Sequence, residues 1–209
     1  MIFRLDERLV FPEPQLAEPD GLLAVGGDLS SERLILAYQH GVFPWYSDDT
    51  PILWYAPHER FVLYPDELHV SKSMRKVLQS GVFTVTKNQV FEQVIAACSL
   101  VPREDQDGTW ITDDMQQAYI NLYQLGHAHS YEVWQDSELV GGLYGVHAGK
   151  VFCGESMFSK VSNASKTALI TLCQSEAYNL IDCQVHTEHL ESLGARFIDR
   201  DAYLHILQS

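Results

Sequence analysis

The sequence predicts an α+β fold with a mixed, largely antiparallel sheet, and three observations carry this prediction. Apolar residues recur at helical spacing in several segments of the 209-residue chain. Three strand-like segments follow one another between residues 129 and 158, separated by the turn-forming pairs Asp-Ser and Ala-Gly. A helix, an apolar strand and a short helix come after this meander. Helices placed around a hairpin meander in this order are typical of α+β domains.

The first 58 residues are predicted to form a small N-terminal domain. Residues 1–28 are rich in turn formers, as in FPEPQLAEPDG, and indicate an irregular, partly extended segment. Ser30 or Ser31 is predicted to cap a helix that runs through Gln39. The loop GVFPWYSDDTP follows and leads into a short strand, ILWYAP.

Residues 59–209 are predicted to form the second domain, which contains the meander. ERFVLY indicates a strand, Ser71 opens a short helix, and VFTVT indicates another strand. Asn88 and Thr112 are predicted to cap the next two helices, with the polar loop REDQDGTW between them. After the meander we expect a helix from about Asn163 to Tyr178, the strand NLIDCQV, the helix TEHLESLG and a final helical turn or two in DRDAYLHIL.

Composition and charge restrict the class of protein. No run approaches the roughly 18 apolar residues of a membrane span, and the charged N-terminus MIFRLDERLV is unlike a secretory signal. The four cysteines form no CxxC pair, which suits a reducing compartment. We expect a soluble cytoplasmic protein, and a monomer. The net charge of −14 disfavours tight, non-specific binding of nucleic acid, because phosphate contacts need Lys and Arg.

One carboxylate, Glu155, stands in the apolar strand FCGESMFS. Strand alternation places it on one face with Cys153 and Met157, opposite Phe152 and Phe158. An ionised side chain rarely points into apolar surroundings without a partner or a task, so Glu155 is a candidate site residue. In the neighbouring strand ELVGGLYGVH, the glycines indicate a β-bulge, a close backbone approach to a ligand, or a twisted hairpin with small residues for packing.

A second group of polar residues lies in LIDCQV. Alternation places Asp182, Gln184 and His186 on one face of this strand. Two interpretations stay open. Asp182 and Gln184 could be a structural polar pair, which burial would require to be hydrogen-bonded. Alternatively, they converge with Glu155 on a cleft that holds a cationic or amine substrate.

A metal site is not expected, although Cys183, His186 and His189 have the spacing CxxHxxH. Structural zinc needs four ligands, and catalytic zinc takes three plus a water. Cys183 and His186 point to opposite sides of a continuous strand, so they are poorly placed to share an ion.

Two kinds of residue suggest a nucleic-acid partner. Trp45 and Trp110 lie in predicted loops, where aromatic rings either stack on ligands such as bases or cover the core. The short basic cluster on one predicted helix is either a solvated face or a weak, salt-sensitive phosphate site. Its members are Lys72, Arg75 and Lys76.

Several stretches together resemble the leucyl/phenylalanyl-tRNA–protein transferase family of bacteria. They include EPDGLLAVGGDLS, AYQHGVFPWYS, PILWYAP, GTWIT, LVGGLYGV, FCGESMFS, NASKTAL and LIDCQ with HLESLGA, and they run in family order along nearly the whole chain. The three motifs FPWY, FCGESMFS and LIDCQ are highly specific for this family when they occur together. The resemblance implies a small N-terminal domain packed on a domain like that of GCN5-related N-acetyltransferases, and it implies no cofactor.

The resemblance also implies a reaction and its partners. Such enzymes move Leu, Phe or sometimes Met from the 3′ end of aminoacyl-tRNA to the N-terminus of a protein that begins with Arg or Lys, which marks that protein for degradation. It implies that Glu155, Asp182 and Gln184 lie at the reaction centre. The implied substrate-binding residues are Trp45, Trp110 and Tyr119 near the aminoacyl-adenosine, and Leu143, Leu169 and Leu172 in a pocket for the amino-acid side chain.

The chemistry is plausible for these residues. Aminoacyl-tRNA is an activated ester, and roughly a tenth of an α-amine with a pKa of ~8 is neutral at pH 7. We expect Asp182 to orient Gln184 and to attract the amine, with general-base catalysis as a second possibility. Two other functions stay open. An acetyl-CoA-dependent N-acetyltransferase would need a glycine-rich turn where this chain has MFSKVSNASK, and a non-catalytic protein could bind basic N-termini without transfer.

Overall fold

The computed structural model describes residues 2–101 and 110–208, and it confirms the α+β class. The described residues form two mixed sheets with helices packed against them. The predicted loop REDQDGTW lies, up to Thr109, outside the described residues. Within the described ranges, no helix is long and apolar enough to cross a membrane.

The small sheet belongs to the first 58 residues. Its strands are β1 (Phe3–Leu5), β2 (Leu22–Gly26), β3 (Phe43–Pro44) and β4 (Leu53–Tyr55), in the spatial order β1-β2-β4-β3. β1 and β2 pair in parallel, and the other pairs are antiparallel. The segment predicted to be irregular therefore contains two strands. Helix α1 (Ser31–Gln39) begins as predicted, because the Ser30 side chain accepts a hydrogen bond from the Arg33 backbone N–H.

The large sheet has seven strands in the order β11-β5-β10-β9-β8-β7-β6. They are β5 (Glu59–Leu63), β6 (Thr84–Lys87), β7 (Ala128–Gln135), β8 (Glu138–Ala148), β9 (Val151–Ser159), β10 (Leu180–Asp182) and β11 (Arg196–Asp199). β9 and β10 pair in parallel, and the other neighbouring pairs are antiparallel. The predicted mixed, largely antiparallel sheet and its β7-β8-β9 meander are confirmed.

The remaining helices are α2 (Lys72–Gln79), α3 (Phe91–Ser99), α4 (Asp113–Gln124), α5 (Ala164–Gln174), α6 (Glu188–Ser192) and α7 (Arg200–Leu207). The predicted caps Ser71 and Thr112 accept hydrogen bonds from backbone N–H groups in the first turns of α2 and α4. The prediction for Asn88 was wrong. Asn88 adopts a left-handed backbone conformation, and its side-chain oxygen accepts from the Ser130 N–H at 3.0 Å, so it fastens β7 instead of capping α3.

Helices cover both faces of the large sheet. Leu143 of β8 belongs to a buried cluster with residues of α5, whereas its neighbour Tyr144 belongs to a cluster with residues of α1, α3 and α4. Successive strand residues point to opposite faces, so α5 lies on one side of the sheet and α1, α3 and α4 lie on the other. We refer to these as the α5 face and the α4 face.

A β-bulge interrupts β9 at Glu155. Tyr144 pairs with Ser156 and Gly145 pairs with Gly154, so Glu155 has no opposite residue in β8. The extra residue reverses the alternation that the sequence predicted. Phe152 packs in the cluster of the α5 face and Phe158 in that of the α4 face, so placing both on one side was wrong.

The same bulge separates Met157 from Glu155 and Cys153. Cys153 packs on the α4 face, whereas Met157 packs against the cluster of the α5 face. Gly145 marks the irregularity, because a Cβ atom at this position would lie 2.2 Å from the Cys153 carbonyl oxygen. A bulge was one of the predicted meanings of the glycines in ELVGGLYGVH, and at Gly145 it is confirmed.

Candidate active site

Three side chains, from α1, from α4 and from the loop after β10, contact the carboxyl group of Glu155 at the bulge. The Tyr38 hydroxyl of α1 donates to Oε1 at 2.7 Å, and the Tyr119 hydroxyl oxygen of α4 lies at hydrogen-bond distance, 3.0 Å, from Oε2. The Gln184 amide Nε2 donates to Oε1 at 2.9 Å. Glu155 is only 8% exposed, so these contacts replace most of its hydration.

Tyr38 was not predicted as a site residue. It lies on the buried side of α1, and its spacing in that helix is typical of a core position. Its hydroxyl oxygen lies 2.5 Å from that of Tyr119. A buried tyrosine needs a partner for its hydroxyl, and this requirement was the signal in the sequence.

Burial changes the acidity of this cluster. Burial raises the pKa of Glu155 from 4.5 to about 7, although the hydrogen bonds from Tyr38, Tyr119 and Gln184 lower it, and the charge of Asp182 raises it further. Burial and the nearby Glu155 also raise the pKa of Tyr38 and of Tyr119 well above 10. The phenols therefore keep their protons at neutral pH, where the carboxyl group titrates.

Asp182 supports this cluster from the end of β10. It is fully buried and forms an ion pair with Arg60. Its Oδ1 accepts from the Gln184 backbone N–H at 3.1 Å. Gln184 adopts a left-handed conformation with φ of 59°, which this hydrogen bond stabilises.

The structure brings Glu155, Asp182 and Gln184 together, as the second interpretation of LIDCQV required. The backbone conformation that brings them together differs from the prediction, because β10 ends at Asp182 instead of continuing to Val185. The left-handed turn at Gln184, rather than strand alternation, directs its side chain to Glu155. The catalytic roles of the three residues stay predictions.

Arg60 was also missed by the sequence analysis. It is buried in β5, donates to the Gly41 carbonyl oxygen at 2.9 Å, and pairs with Asp182. Its guanidinium lies over the rings of Phe43 and Tyr203, 4.9 and 4.4 Å from their centroids. An arginine inside the apolar strand ERFVLY was the signal, since a buried cation needs a partner.

The three predicted pocket leucines lie close together but on the α5 face. Leu143 of β8 and Leu169 and Leu172 of α5 belong to one buried cluster, and each is at most 3% exposed. Glu155 contacts Tyr38 and Tyr119 on the α4 face. A pocket that joins the leucines to the reaction centre would therefore have to cross the sheet near the bulge, where the side chains of β9 exchange faces. Such a pocket stays a prediction.

The two predicted tryptophans differ in environment. Trp45 is 42% exposed, and its ring centroid lies 5.8 Å from that of Tyr55. Trp110 is 9% exposed and packs in the cluster of the α4 face. Trp45 therefore offers an accessible ring for stacking, whereas Trp110 contributes to the core, and nucleotide binding by either residue stays a prediction.

The basic cluster lies on the exposed side of α2. Lys72, Arg75 and Lys76 are all exposed, and Arg75 donates from Nε to the Val70 carbonyl oxygen at 3.1 Å. Solvated lysines and arginines suit weak phosphate contacts that salt screens. Their contact with tRNA stays a prediction.

The CxxHxxH residues have other partners. His186 packs edge-on against Phe61 and stacks on Phe197, and its Nε2 lies 3.0 Å from Glu191. Cys183 is partly buried with its sulfur near the Ile181 carbonyl oxygen. Across residues 2–101 and 110–208, no group of three or more His, Cys, Asp or Glu side chains is arranged to hold a metal ion.

Comparison with known proteins gives a consistent result. A family model described as leucyl/phenylalanyl-tRNA protein transferase matches residues 62–208, and a model of the N-terminal domain of that transferase matches residues 27–58. A leucyl/phenylalanyl-tRNA–protein transferase of Flavobacterium johnsoniae is 55% identical over 100% of both chains. One from Syntrophobacter fumaroxidans is 54% identical over 99% of this chain and 89% of its own.

Solved structures show weaker similarity. FemX covers 85% of this chain and 71% of its own at 10% identity and a TM-score of 0.49. A GCN5-related N-acetyltransferase from Kribbella flavida covers 77% of this chain and 58% of its own at 10% identity and a TM-score of 0.36. The sequence matches decide the family: the chain belongs to the leucyl/phenylalanyl-tRNA–protein transferases, and the resemblance seen in its motifs is confirmed.

Proposed function

We propose that this enzyme transfers leucine or phenylalanine, and sometimes methionine, from the 3′ end of aminoacyl-tRNA to proteins that begin with Arg or Lys, and so marks them for degradation. Membership of the family supports an aminoacyl-tRNA substrate and a protein acceptor. One observation carries the rest of the proposal. Within residues 2–101 and 110–208, the cluster around Glu155 and Asp182 combines these two carboxyl groups with neutral donors, and its cation, Arg60, is already paired with Asp182.

Such a site suits an amine nucleophile. A positively charged N-terminal residue is attracted by the net charge of −14, and the charge of Arg60 is offset by its ion pair with Asp182. Gln184 and Glu155 present hydrogen-bonding groups, and Asp182 holds Gln184 in place through its backbone. Because the aminoacyl ester is already activated, alignment of the two substrates accounts for much of the required rate.

The other site residues have proposed roles in holding the aminoacyl-tRNA. Trp45 and Trp110 would contact the terminal adenosine, with Tyr119 beside them. Leu143, Leu169 and Leu172 would select the side chain by size and apolarity. A hydrophobic pocket separates neighbouring side chains by only ~1–3 kcal/mol per methylene, so tolerance of Leu, Phe and Met is expected. Lys72, Arg75 and Lys76 would contact tRNA phosphates, and recognition centred on the 3′ end would limit repulsion from an acidic protein.

The proposal includes the arrangement of the protein in the cell. The chain would act as a cytoplasmic monomer, and the boundary between its two domains would fall near residue 58. The two family models support such a division, since the first ends at residue 58 and the second begins at residue 62.

A transfer assay tests the proposed function. The purified protein is mixed with Leu-tRNA and a peptide that begins with Arg, and the product is read as a mass gain of one leucine at the N-terminus. Phe-tRNA and Met-tRNA replace Leu-tRNA in parallel reactions. A matched peptide with Asp in first place should gain nothing, because a protein of net charge −14 repels an added carboxylate.

The alternatives give different results in the same experiment. Acetylation in a parallel reaction with acetyl-CoA would support the N-acetyltransferase. Binding of the Arg peptide without product from any charged tRNA would support a non-catalytic binder. Either result would contradict the proposed function, as would equal transfer to the Asp and Arg peptides.

A further inference from the structure

Three oxygen atoms form a closed triangle at the bulge. The hydroxyl oxygens of Tyr38 and Tyr119 lie 2.5 Å apart, and each contacts a different carboxyl oxygen of Glu155, at 2.7 and 3.0 Å. Each oxygen–oxygen contact of this length needs one hydrogen atom between the two oxygens. The two phenols supply only two hydrogens for three contacts. An ionised Glu155 would leave one close contact between two lone pairs, so the third hydrogen has to come from the carboxyl group.

We propose that Glu155 carries a proton in the substrate-free enzyme, held by Tyr38 and Tyr119 in a closed ring of hydrogen bonds, and that this proton is the one given to the leaving oxygen of the tRNA. The Gln184 amide identifies the protonated atom. Gln184 donates to Oε1, which also receives the Tyr38 hydroxyl, and a carbonyl oxygen accepts two hydrogen bonds better than a hydroxyl oxygen does. The proton therefore resides on Oε2 of Glu155, which donates a hydrogen bond to the Tyr119 hydroxyl oxygen. The Tyr119 hydroxyl in turn donates to the Tyr38 oxygen, and the Tyr38 hydroxyl donates to Oε1 of Glu155.

The surroundings of Glu155 favour the neutral carboxyl group. From β10, Asp182 contributes a negative charge, and the Arg60 guanidinium of β5 is paired with that charge. From β9 itself, the neighbouring thiol of Cys153 stays protonated, because burial raises its pKa above the usual range. An ionised Glu155 would add a second negative charge beside Asp182 in a dry site.

The phenols of Tyr38 and Tyr119, which face the carboxyl group from α1 and α4, are neutral as well. Tyr144 of β8 packs edge-on against Tyr119 with ring centroids 5.7 Å apart. Tyr38 and Tyr119 keep their protons at neutral pH, since burial raises the pKa of both. Glu155 is therefore the group of this cluster that can gain or lose a proton near pH 7.

The proton has a defined path in the transfer reaction, and this part of the inference rests on the proposed function. The lone pair of the acceptor amine forms a bond to the carbonyl carbon of the aminoacyl ester. The bond between that carbon and the 3′ oxygen of the tRNA breaks, and the oxygen takes the proton of Glu155. The amine nitrogen, now part of the new peptide bond, releases one proton, which restores Glu155. No proton is gained or lost overall, and no further reactant is needed.

Asp182 is poorly placed for this step. It is fully buried, Oδ2 faces Arg60, and Oδ1 accepts the Gln184 backbone N–H. Asp182 is therefore held by a charged partner, whereas the side chains that contact Glu155 are a neutral amide and two phenols. Asp182 acts as a positioning residue for Gln184, while Glu155, with 8% of its surface exposed, is the group that can meet the substrate.

The protonation of Glu155 can be measured without any substrate. The protein is labelled with carbon-13 at the glutamate δ carbon, and its spectrum is followed from about pH 5 to about pH 9. We expect one signal with a midpoint near 7 that is absent from the Glu155→Gln protein. In Gln184→Met, which keeps the carboxyl group and removes a donor to it, the midpoint of that signal should rise. A midpoint below about 5 in the unsubstituted protein would show an ionised Glu155 and overturn the proposal.

The proton transfer is tested by the pH profile of the maximal transfer rate from Leu-tRNA to an Arg peptide. We expect the rate to rise as the amine loses its proton and to fall as Glu155 loses its own. Glu155→Gln should be slower and lose the falling limb, whereas Asp182→Asn should be slower and keep it. A falling limb that survives Glu155→Gln, or disappears in Asp182→Asn, would contradict the role given to Glu155. If no charged tRNA supports transfer, the proposed function fails, and the carbon-13 titration still decides the protonation.

Discussion

The hydroxyl oxygen of Tyr38 lies 2.7 Å from Oε1 of Glu155, although the two residues are 117 positions apart in the chain. Tyr38 belongs to α1, within the first 58 residues, and Glu155 belongs to the large sheet. The candidate site is therefore completed by a residue from the predicted N-terminal domain. A separated second domain would lack one of the three side chains that contact this carboxyl group.

The first prediction concerns Tyr38. The substitution Tyr38→Phe removes one hydrogen bond to Glu155 and keeps the ring that packs in the core. Loss of a hydrogen bond to a charged or titrating group changes a free energy by about 1.5 kcal/mol, so we expect a roughly tenfold lower kcat for transfer. Single-turnover transfer from Leu-tRNA measures this.

Tyr131→Phe is the matched control. The Tyr131 hydroxyl is buried and has no hydrogen-bond partner among the described residues. Its loss should leave transfer unchanged. Equal effects of the two substitutions would mean that the contact between Tyr38 and Glu155 contributes nothing specific to the reaction.

The second prediction concerns Arg60. Arg60→Met leaves the buried Asp182 without its cation, and breaking a buried ion pair from one side destabilises a protein by roughly 3–5 kcal/mol. The double substitution Arg60→Met with Asp182→Asn should recover much of this loss, because no charge is left unpaired. Urea unfolding gives the free energies of unfolding.

Arg196→Met provides the comparison for Arg60. Arg196 pairs with Glu67, but both side chains are about half exposed. An exposed pair contributes only about 0–1 kcal/mol, so the loss of stability should be small. A similar loss for Arg60→Met and Arg196→Met would show that the Arg60–Asp182 pair is effectively solvated.

The third prediction is a pH dependence of stability. Burial raises the pKa of Glu155 from 4.5 to about 7 in the folded protein. The folded state then holds the Glu155 proton more tightly than the unfolded state does. Its contribution to stability is complete below about pH 4.5 and disappears as the pH rises through about 7.

Glu155→Gln isolates this contribution, because glutamine does not titrate. Relative to the unsubstituted protein, Glu155→Gln should gain stability between about pH 5 and pH 8, by up to roughly 3 kcal/mol. The measurement is urea unfolding of both proteins at each pH. A difference that stays constant over this range would refute a raised pKa.

The fourth prediction tests the bulge. In Gly145→Ala the new methyl group would lie 2.2 Å from the Cys153 carbonyl oxygen, so the two strands must separate or shift. We expect a loss of about 1–3 kcal/mol in stability and a larger loss of transfer, because Glu155 moves with the bulge. Urea unfolding and the transfer assay report the two effects.

Gly154→Ala is the control for the bulge. A Cβ atom at Gly154 would lie 3.4 Å from the Asp182 carbonyl oxygen, which is an ordinary contact distance. Stability should change by less than in Gly145→Ala. If Gly154→Ala were the more damaging substitution, the close approach at Gly145 would not be what sets the position of Glu155.

Several parts of the site could be predicted because they depend on neighbours in the sequence. Ser30, Ser71 and Thr112 cap helices through hydrogen bonds that reach only three residues along the chain. Glu155 was identified because a carboxylate in an apolar strand is chemically unusual. Gln184 was identified from the polar residues of LIDCQV.

Other features follow from packing that no local pattern contains. Asn88 precedes a helix, as a capping residue would. Its side-chain oxygen instead accepts a hydrogen bond from a backbone N–H of β7. Phe152 and Phe158 have the spacing of one strand face, and a single extra residue between them places them on opposite faces. Tyr38 and Arg60 have the sequence environment of ordinary core and strand positions.

By itself, the sequence determined the family, the α+β class and most helix boundaries. It also identified the polar residues in apolar strands as candidate site residues. These depend on residue type, periodicity and interactions over a few positions. The tertiary structure alone decided that Tyr38 and Tyr119 meet at Glu155, that a left-handed turn directs Gln184 there, and that Asp182 is already paired with Arg60. The reason is physical: the acidity of a buried carboxyl group depends on which donors and charges surround it in space, and those residues come from distant parts of the chain.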